Sequence, residues 1–149
     1  MKDETKFLRA LLRQDWETYD SFTEKFQNGG KGTPVAIIGY SFFVAVQRRF
    51  SESRDAGEVI RFVADARARL LEGRELPAKE GEALIYAMLD MDMPGVEEIV
   101  DSLDVGVMAE IQGQLLFRLV EDAEMADEQL DELLLEAEQL LRQAHPVEY

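Results

Sequence analysis

The chain contains no cysteine and only one histidine, His145. The missing cysteines exclude a disulfide framework, a thiol nucleophile and cysteine-ligated zinc. His145 stands directly before Pro146, in a stretch that is expected to fray. It therefore cannot supply the paired histidines of a di-iron helix bundle or act as a general base. Any catalysis would use carboxylate, lysine or tyrosine groups, and no pair of these falls on an apolar face. The sequence predicts no cofactor.

Long apolar runs are also missing. The longest, from Pro34 to Val46, is interrupted by Gly39 and Ser41 and is shorter than the roughly 20 residues that span a bilayer. The first 20 residues carry charges throughout and lack the continuous apolar core of a secretory signal. Together with the absence of cysteine, these features lead us to expect a cytoplasmic protein that does not enter a membrane.

Basic residues are scarce in the second half of the chain. Residues 1–75 hold 13 basic and 12 acidic residues, whereas residues 76–149 hold 3 basic and 19 acidic ones. The second half therefore carries all of the excess in the formal net charge of −15. Such a field repels nucleic acid and anionic membranes, and it attracts a basic protein or a cation. The alternative is that acidic helix faces serve only solubility.

The apolar residues recur with the period of an α-helix, and no alternating strand pattern is present. We predict one all-α domain, a bundle of about six or seven helices. The predicted helices cover approximately residues 3–27, 34–49, 56–71, 77–89, 96–103, 104–120 and 128–143. The second of these is apolar nearly all round, which is typical of a central helix or of a homodimer interface.

Three helix starts carry capping signals. Thr33 precedes Pro34, a residue favoured at the first helical position, and Asp104 can cap the helix that follows it. Asp55 is a good cap for the helix from Ala56 and forms a capping-box pattern with Glu58. The buried stripe predicted for that helix consists of Ile60, Val63, Ala64, Arg67, Leu70 and Leu71.

A faint internal repeat relates residues 34–72 to residues 104–144. Gly39 to Val46 aligns with Gly113 to Val120, and each stretch is followed by a charged turn and an amphipathic helix. The chain could thus consist of two tandem helical-hairpin units. Any two amphipathic hairpins share this layout, so chance similarity is the alternative.

A segment between two predicted helices resembles a calcium-binding loop. Asp90, Asp92, Glu98 and Asp101 occupy the first, third, ninth and twelfth positions of the twelve-residue pattern, with Gly95 at the sixth. Pro94 cannot supply the ligand at the fifth position, and no second loop is available to pair with this one. The alternative is a helix–turn–helix corner with acidic residues on its solvent side.

Three weaker candidates have structural alternatives. Residues 29–33, Gly-Gly-Lys-Gly-Thr, resemble a phosphate loop but follow a helix and break the required spacing, which favours a linker. A strip of arginines could bind phosphate or pair with the acidic half of the same chain: Arg48, Arg49, Arg54, Arg61, Arg67, Arg69 and Arg74. Apolar side chains that could line a pocket, or simply fill the core, are Phe42, Phe43, Phe50, Phe62, Met88, Met91 and Met93.

Residues 42–46, Phe-Phe-Val-Ala-Val, and residues 58–69, Glu-Val-Ile-Arg-Phe-Val-Ala-Asp-Ala-Arg-Ala-Arg, resemble a group of small acidic all-helical proteins from actinomycete bacteria. The resemblance covers most of the chain after Gly39. It implies a bacterial cytosolic protein, and it implies no activity and no site residues.

These observations favour a non-enzymatic interaction or regulatory domain whose acidic second half engages a basic protein, as an adaptor, regulator or inhibitor. The acidic residues expected to bind that partner are Glu121, Asp122, Glu124, Asp127 and Asp131. The first alternative is cation or small-ligand binding at the calcium-loop-like corner. The second alternative is an enzyme that uses carboxylate chemistry. Direct binding to nucleic acid is not expected.

Overall fold

A computed structural model describes residues 1–28, 34–52, 54–70 and 75–145, except for the side chains of residues 27 and 28. These segments contain helices and no strand, which confirms the all-α class. The helices are α1 (Asp3–Leu12), α2 (Trp16–Asn28), α3 (Val35–Arg49), α4 (Ala56–Ala68), α5 (Ala78–Met88), α6 (Val96–Ser102), α7 (Val105–Asp122) and α8 (Asp127–Ala144). The described part of the chain thus has eight helices rather than six or seven. None of them combines the length and apolarity needed to cross a membrane.

The extra helix arises because the segment predicted as one helix over residues 3–27 breaks at Gln14. Gln14 adopts a left-handed conformation with a φ of 55°. Its N–H donates to the carbonyl of Leu11 at 3.1 Å, and the N–H of Asp15 donates to the carbonyl of Ala10 at 2.8 Å. This pair of bonds is a Schellman motif, which ends α1. The carboxylate of Asp15 then accepts from the N–H of Thr18 and caps α2.

The same C-terminal motif ends two other helices. Asp90 after α5 and Glu124 after α7 have φ values of 55° and 50°. The N–H of Met91 donates to the carbonyl of Tyr86, and the N–H of Met125 donates to the carbonyl of Val120. In each of the three motifs, the left-handed position that usually holds glycine or asparagine is occupied by another residue. The chain therefore makes sharp turns where its sequence shows no glycine.

The core is built around α3, as the apolar pattern predicted. This helix packs most extensively against α7 and α8 and also contacts α1 and α5. Phe42 and Val46 are completely buried, and Ile37 nearly so. The long apolar helices of the two suggested repeat units, α3 and α7, pack directly on each other. The duplication itself stays a prediction.

The buried stripe of α4 is shifted by one position from the predicted one. Val59, Phe62, Val63 and Ala66 face the core. Of the predicted stripe, Ile60 is 47% exposed, and Ala64 and Arg67 are exposed as well. The ring of Phe62 packs edge-to-face on Phe50, with centroids 6.0 Å apart. The observed rotation of α4 is more stable because it buries an aromatic ring that the predicted rotation would leave in water.

The predicted caps of α4 and α7 are present. The carboxylate of Asp55 accepts from the N–H of Gly57 at 3.0 Å. The carboxylate of Asp104 accepts from the N–H groups of Gly106 and Val107. Both side chains thus satisfy amide groups that a helix N-terminus leaves without a backbone acceptor.

The adjacent pair Phe42 and Phe43 tests the placement of α3. Phe42 is fully buried and Phe43 is 37% exposed. We expect Phe42→Ala to lower the free energy of unfolding by about 3–5 kcal/mol, because it leaves a cavity in the core. Phe43→Ala should cost about 1–1.5 kcal/mol, since less apolar surface is lost. Urea denaturation of both variants measures the difference, and equal costs would contradict the assigned rotation of α3.

The strained turn at Gln14 gives a second test. Gln14→Gly should raise the free energy of unfolding by about 0.5–1 kcal/mol, because glycine accepts a positive φ without a steric penalty. The matched control is Gln139→Gly on the exposed side of α8, which should lower it by about 1 kcal/mol. Thermal and urea unfolding report both changes. Destabilisation by both substitutions would show that α1 and α2 form one continuous helix.

Candidate functional site

Part of the arginine strip pairs with the acidic half of the chain. Arg48 binds Glu136 of α8 at 2.6 Å, and Arg69 binds Asp122 of α7 at 2.8 Å. Arg69 also pairs with Asp65, and its hydrogen bonds to these two carboxylates raise its pKa. These arginines therefore hold α3 and α4 against α7 and α8, which supports the intramolecular alternative for them.

Two other arginines of the strip bind backbone oxygens. Arg54 donates to the carbonyl of Leu89 at 2.8 Å, and Arg67 donates to the carbonyl of Leu76 at 2.8 Å. Each bond satisfies an acceptor close to an end of α5, where carbonyl groups or loop oxygens lack a helical partner. These two side chains thus position helix ends, each through one nitrogen of its guanidinium.

A second group of ion pairs joins α1 to the start of α8. Arg9 binds Asp131 at 2.5 Å, and Arg13 binds Asp127 at 2.8 Å. The hydrogen bond from Arg9 to Asp131 raises the pKa of the guanidinium, with the charges of Asp131 and Asp127 adding to the effect. Arg13 also donates to the carbonyl of Met125 at 2.6 Å in the turn between α7 and α8. Arg13 therefore holds this turn at both Met125 and Asp127.

The acidic residues predicted to bind a partner thus divide into two groups. Asp122, Asp127 and Asp131 pair with arginines of their own chain. Glu121 and Glu124 are exposed, and neither carboxylate has an ion pair within the segments that the structure describes. Only these two of the five carboxylates are therefore left unpaired.

The outer face of α8 adds residues that the sequence analysis did not single out. Glu128 and Glu132 are exposed one helical turn apart, and Leu135 follows on the same face with 48% of its surface exposed. We call these three residues the α8 face. Leu135 belongs to the apolar run Leu133-Leu134-Leu135, and the helical period alone assigns the third leucine to the outer side.

The calcium-loop-like segment folds as a helix–turn–helix corner. Asp90 sits in the left-handed position of the α5 cap, and Gly95, with a φ of 81°, precedes α6. Across all described residues, no three acidic or histidine side chains lie close enough together to hold a metal ion. Asp90, Asp92, Glu98 and Asp101 are each exposed, and calcium binding by them stays a prediction without geometric support. The phosphate-loop-like residues 29–33 lie outside the described segments.

An open apolar cavity of about 460 Å³ lies between α3 and α7. Its walls are completed by one residue each from α5 and α8. The lining residues are Val35, Ala36, Gly39, Tyr40, Phe43, Met88, Val105, Met108, Ala109, Gln112 and Leu140. Its volume lies within the range of small-molecule sites, about 300–1,000 Å³. Of the aromatic and methionine residues considered from sequence, Phe43 and Met88 line it, whereas Phe42, Phe50 and Phe62 fill the core.

Gln112 is the most buried polar side chain of the cavity wall, with only 5% of its surface exposed. Its amide makes no hydrogen bond to any described residue. The amide oxygen lies beside Gly39 of α3, 3.7 Å from the point where a β-carbon on that glycine would sit. Its amide atoms are not sealed from solvent, so the amide opens on the cavity.

The described part of the cavity wall contains no carboxylate, lysine or arginine. The carboxylate of Glu138 is buried elsewhere, where it accepts from the backbone N–H of Lys2 and lies 3.8 Å from Arg142. Burial and the charge of Glu82 raise the pKa of Tyr86, so its hydroxyl stays protonated at neutral pH. The carboxylate-enzyme hypothesis therefore finds no acid in this cavity to act on a substrate.

Comparison with protein-family models, with curated proteins and with solved structures gives no match for this chain. The resemblance to actinomycete proteins therefore stays an expectation. The functional assignment depends on the acidic surface and the cavity alone.

The calcium hypothesis can be tested by thermal melting in millimolar calcium. Binding to the folded state would raise the melting temperature. Because the four acids form no cluster, we expect no rise beyond that seen with sodium chloride of equal ionic strength. A rise that chelation reverses and that the double variant Asp92→Asn/Glu98→Gln abolishes would instead establish a cation site at this corner.

Proposed function

We propose that this chain is a non-enzymatic interaction protein, bacterial and cytoplasmic, that binds a basic protein partner through its acidic C-terminal half. The single observation that carries the proposal is the α8 face, where Leu135 is exposed beside Glu128 and Glu132. An acidic surface alone is explained by solubility. A single exposed leucine is ordinary on a folded protein, but its place beside the two glutamates gives the acidic face one apolar contact.

The charge left after intramolecular pairing supports this assignment. Asp122, Asp127, Asp131 and Glu136 are engaged by arginines of the first half. These pairs account for four of the 19 acidic residues after residue 75. Most of the negative charge of the second half therefore remains available to steer a cationic partner toward the surface.

The chemistry of the α8 face defines the partner. The two glutamates favour lysine or arginine side chains, and the leucine favours an apolar side chain between them. A basic amphipathic helix presents this combination at the spacing of helical turns. Such segments occur in proteins that bind nucleic acid, so the chain would act as an adaptor, regulator or inhibitor of a protein of that kind.

The test compares two variants with equal changes in charge. In the first variant, Glu128→Lys and Glu132→Lys reverse the α8 face; in the control, Glu97→Lys and Glu98→Lys reverse two exposed residues of α6. Each protein is immobilised at low salt and offered a cytosolic extract, and the bound basic protein is identified and its affinity measured. We expect the first variant to lose about tenfold in affinity and the control to lose much less.

Two further measurements make the result specific. Leu135→Ser should weaken binding without changing its salt dependence, because it removes apolar contact and no charge. Glu121→Gln with Glu124→Gln should weaken it mildly if the surface extends onto the end of α7. Substituting Asp122, Asp127 or Asp131 would also break ion pairs within the chain and is therefore avoided. Equal binding by the α8-face variant and the α6 control would overturn the proposal.

A further inference from the structure

We infer that the cavity between α3 and α7 is a binding site for an uncharged, mostly apolar small molecule that carries one hydrogen-bonding group, and that the amide of Gln112 binds that group. The observation behind this is that Gln112 is buried in the cavity wall and finds no hydrogen-bond partner in the described residues. The amide atoms are not sealed from solvent, so the amide opens on the cavity. A ligand in the cavity would supply its missing hydrogen-bond partner.

The composition of the wall determines the ligand's charge. Among the residues that the structure describes, all those that line the cavity are uncharged. An ion moved into such an environment without a counter-ion loses its hydration and gains nothing in return. The negative net charge of the protein adds a repulsive field against anions in particular. The site therefore favours a neutral molecule over its carboxylate analogue.

Gly39 leaves space in front of the Gln112 amide. A glycine inside a helix destabilises it by roughly 0.5–1 kcal/mol relative to alanine. At Gly39 a β-carbon would lie 3.7 Å from its nearest neighbour, the amide oxygen of Gln112, which is ordinary contact. Packing therefore does not require glycine here. Its effect is to widen the cavity in front of the amide.

The cavity is accessible from the surface. Phe43 and Val105, which belong to its lining, are 37% and 62% exposed. Apolar side chains at an opening favour the entry of an apolar molecule. The Gln112 amide at the buried wall gives such a molecule a preferred orientation, with its polar group inward.

A second copy of the chain would be the other occupant of an apolar opening. The geometry favours the small molecule, because the polar group that needs a partner lies inside the cavity and not at its rim. The two occupants make different predictions. A dimer through this surface would depend on Phe43 and Val105, and its formation would depend on protein concentration.

The first experiment uses the fluorescent probe N-phenyl-1-naphthylamine, which is neutral, apolar and carries one N–H. We expect its emission to rise on saturable binding to the full chain. Gly39→Leu should fill the cavity and weaken probe binding at least tenfold. The matched control, Gly113→Leu on α7, meets open space and does not line the cavity, so it should bind like the unmodified protein.

The second experiment tests the role of Gln112 with three competitors that share one ring system. All three competitors share a naphthalene ring and can displace the probe. Naphthalene has no polar group, 2-naphthamide adds a neutral amide, and 2-naphthoate adds a charged carboxylate. We expect the amide to bind best and the carboxylate worst. Gln112→Leu should weaken 2-naphthamide roughly tenfold and leave naphthalene unchanged, because only the hydrogen bond is lost.

Circular dichroism and urea unfolding identify variants that fail to fold. If Gly39→Leu is one of them, Gly39→Ala replaces it; it should preserve or raise stability while weakening the probe several-fold. Three results would overturn the inference. The probe would show no saturable binding, the Gly39 and Gly113 variants would lose the same probe affinity, or Gln112→Leu would weaken all competitors equally. A dimer that Val105→Ser dissociates and that excludes the probe would overturn it too. None of these measurements involves the α8 face.

Discussion

The apolar character of α3 on nearly every side is the constraint on which the rest of the fold depends. A helix of this kind cannot face water, so other helices must surround it. α7 and α8 provide most of that cover, with α1 and α5 at the remaining sides. The N-terminal helices and the acidic C-terminal helices are therefore packed around the same central helix. This packing brings arginines of the first half beside acids of the second half.

The ion pairs orient the helices more than they stabilise them. An exposed pair contributes up to about 1 kcal/mol, which is little beside the burial of Phe42 or Val46. Their effect is on the surface charge. Arg9, Arg48 and Arg69 neutralise the acids that face them, and most of the other acids of the second half are exposed. The acidic surface is thus the part of the second half that the fold does not use.

The sequence predicted those features that depend on local chemistry or strong periodicity. The caps at Asp55 and Asp104, the central helix and the corner at Pro94-Gly95 follow from residue types with a narrow range of roles. The break at Gln14 was missed because a left-handed glutamine is specified by its neighbours in space and not by its own preference. The phase of α4 was missed because apolar residues occupy two adjacent stripes, and only packing on Phe50 decides between them.

The cavity could not be predicted for a further reason. Its lining comes from four helices, and the spacing between them is set by the whole core. Sequence alone showed Gly39 and Gln112 as unremarkable helix residues of two suggested repeat units. Only their juxtaposition shows that a small residue lies in front of an amide that opens on the cavity. Gly113 of α7 is also a helix glycine with open space in place of a β-carbon, so a glycine alone does not identify a ligand site. The cavity is distinguished by what surrounds Gly39: an apolar wall from four helices and one amide, that of Gln112, without a hydrogen-bond partner in the described residues. Burial of α3 sets the positions of these helices, and the space left between them is where the ligand would bind.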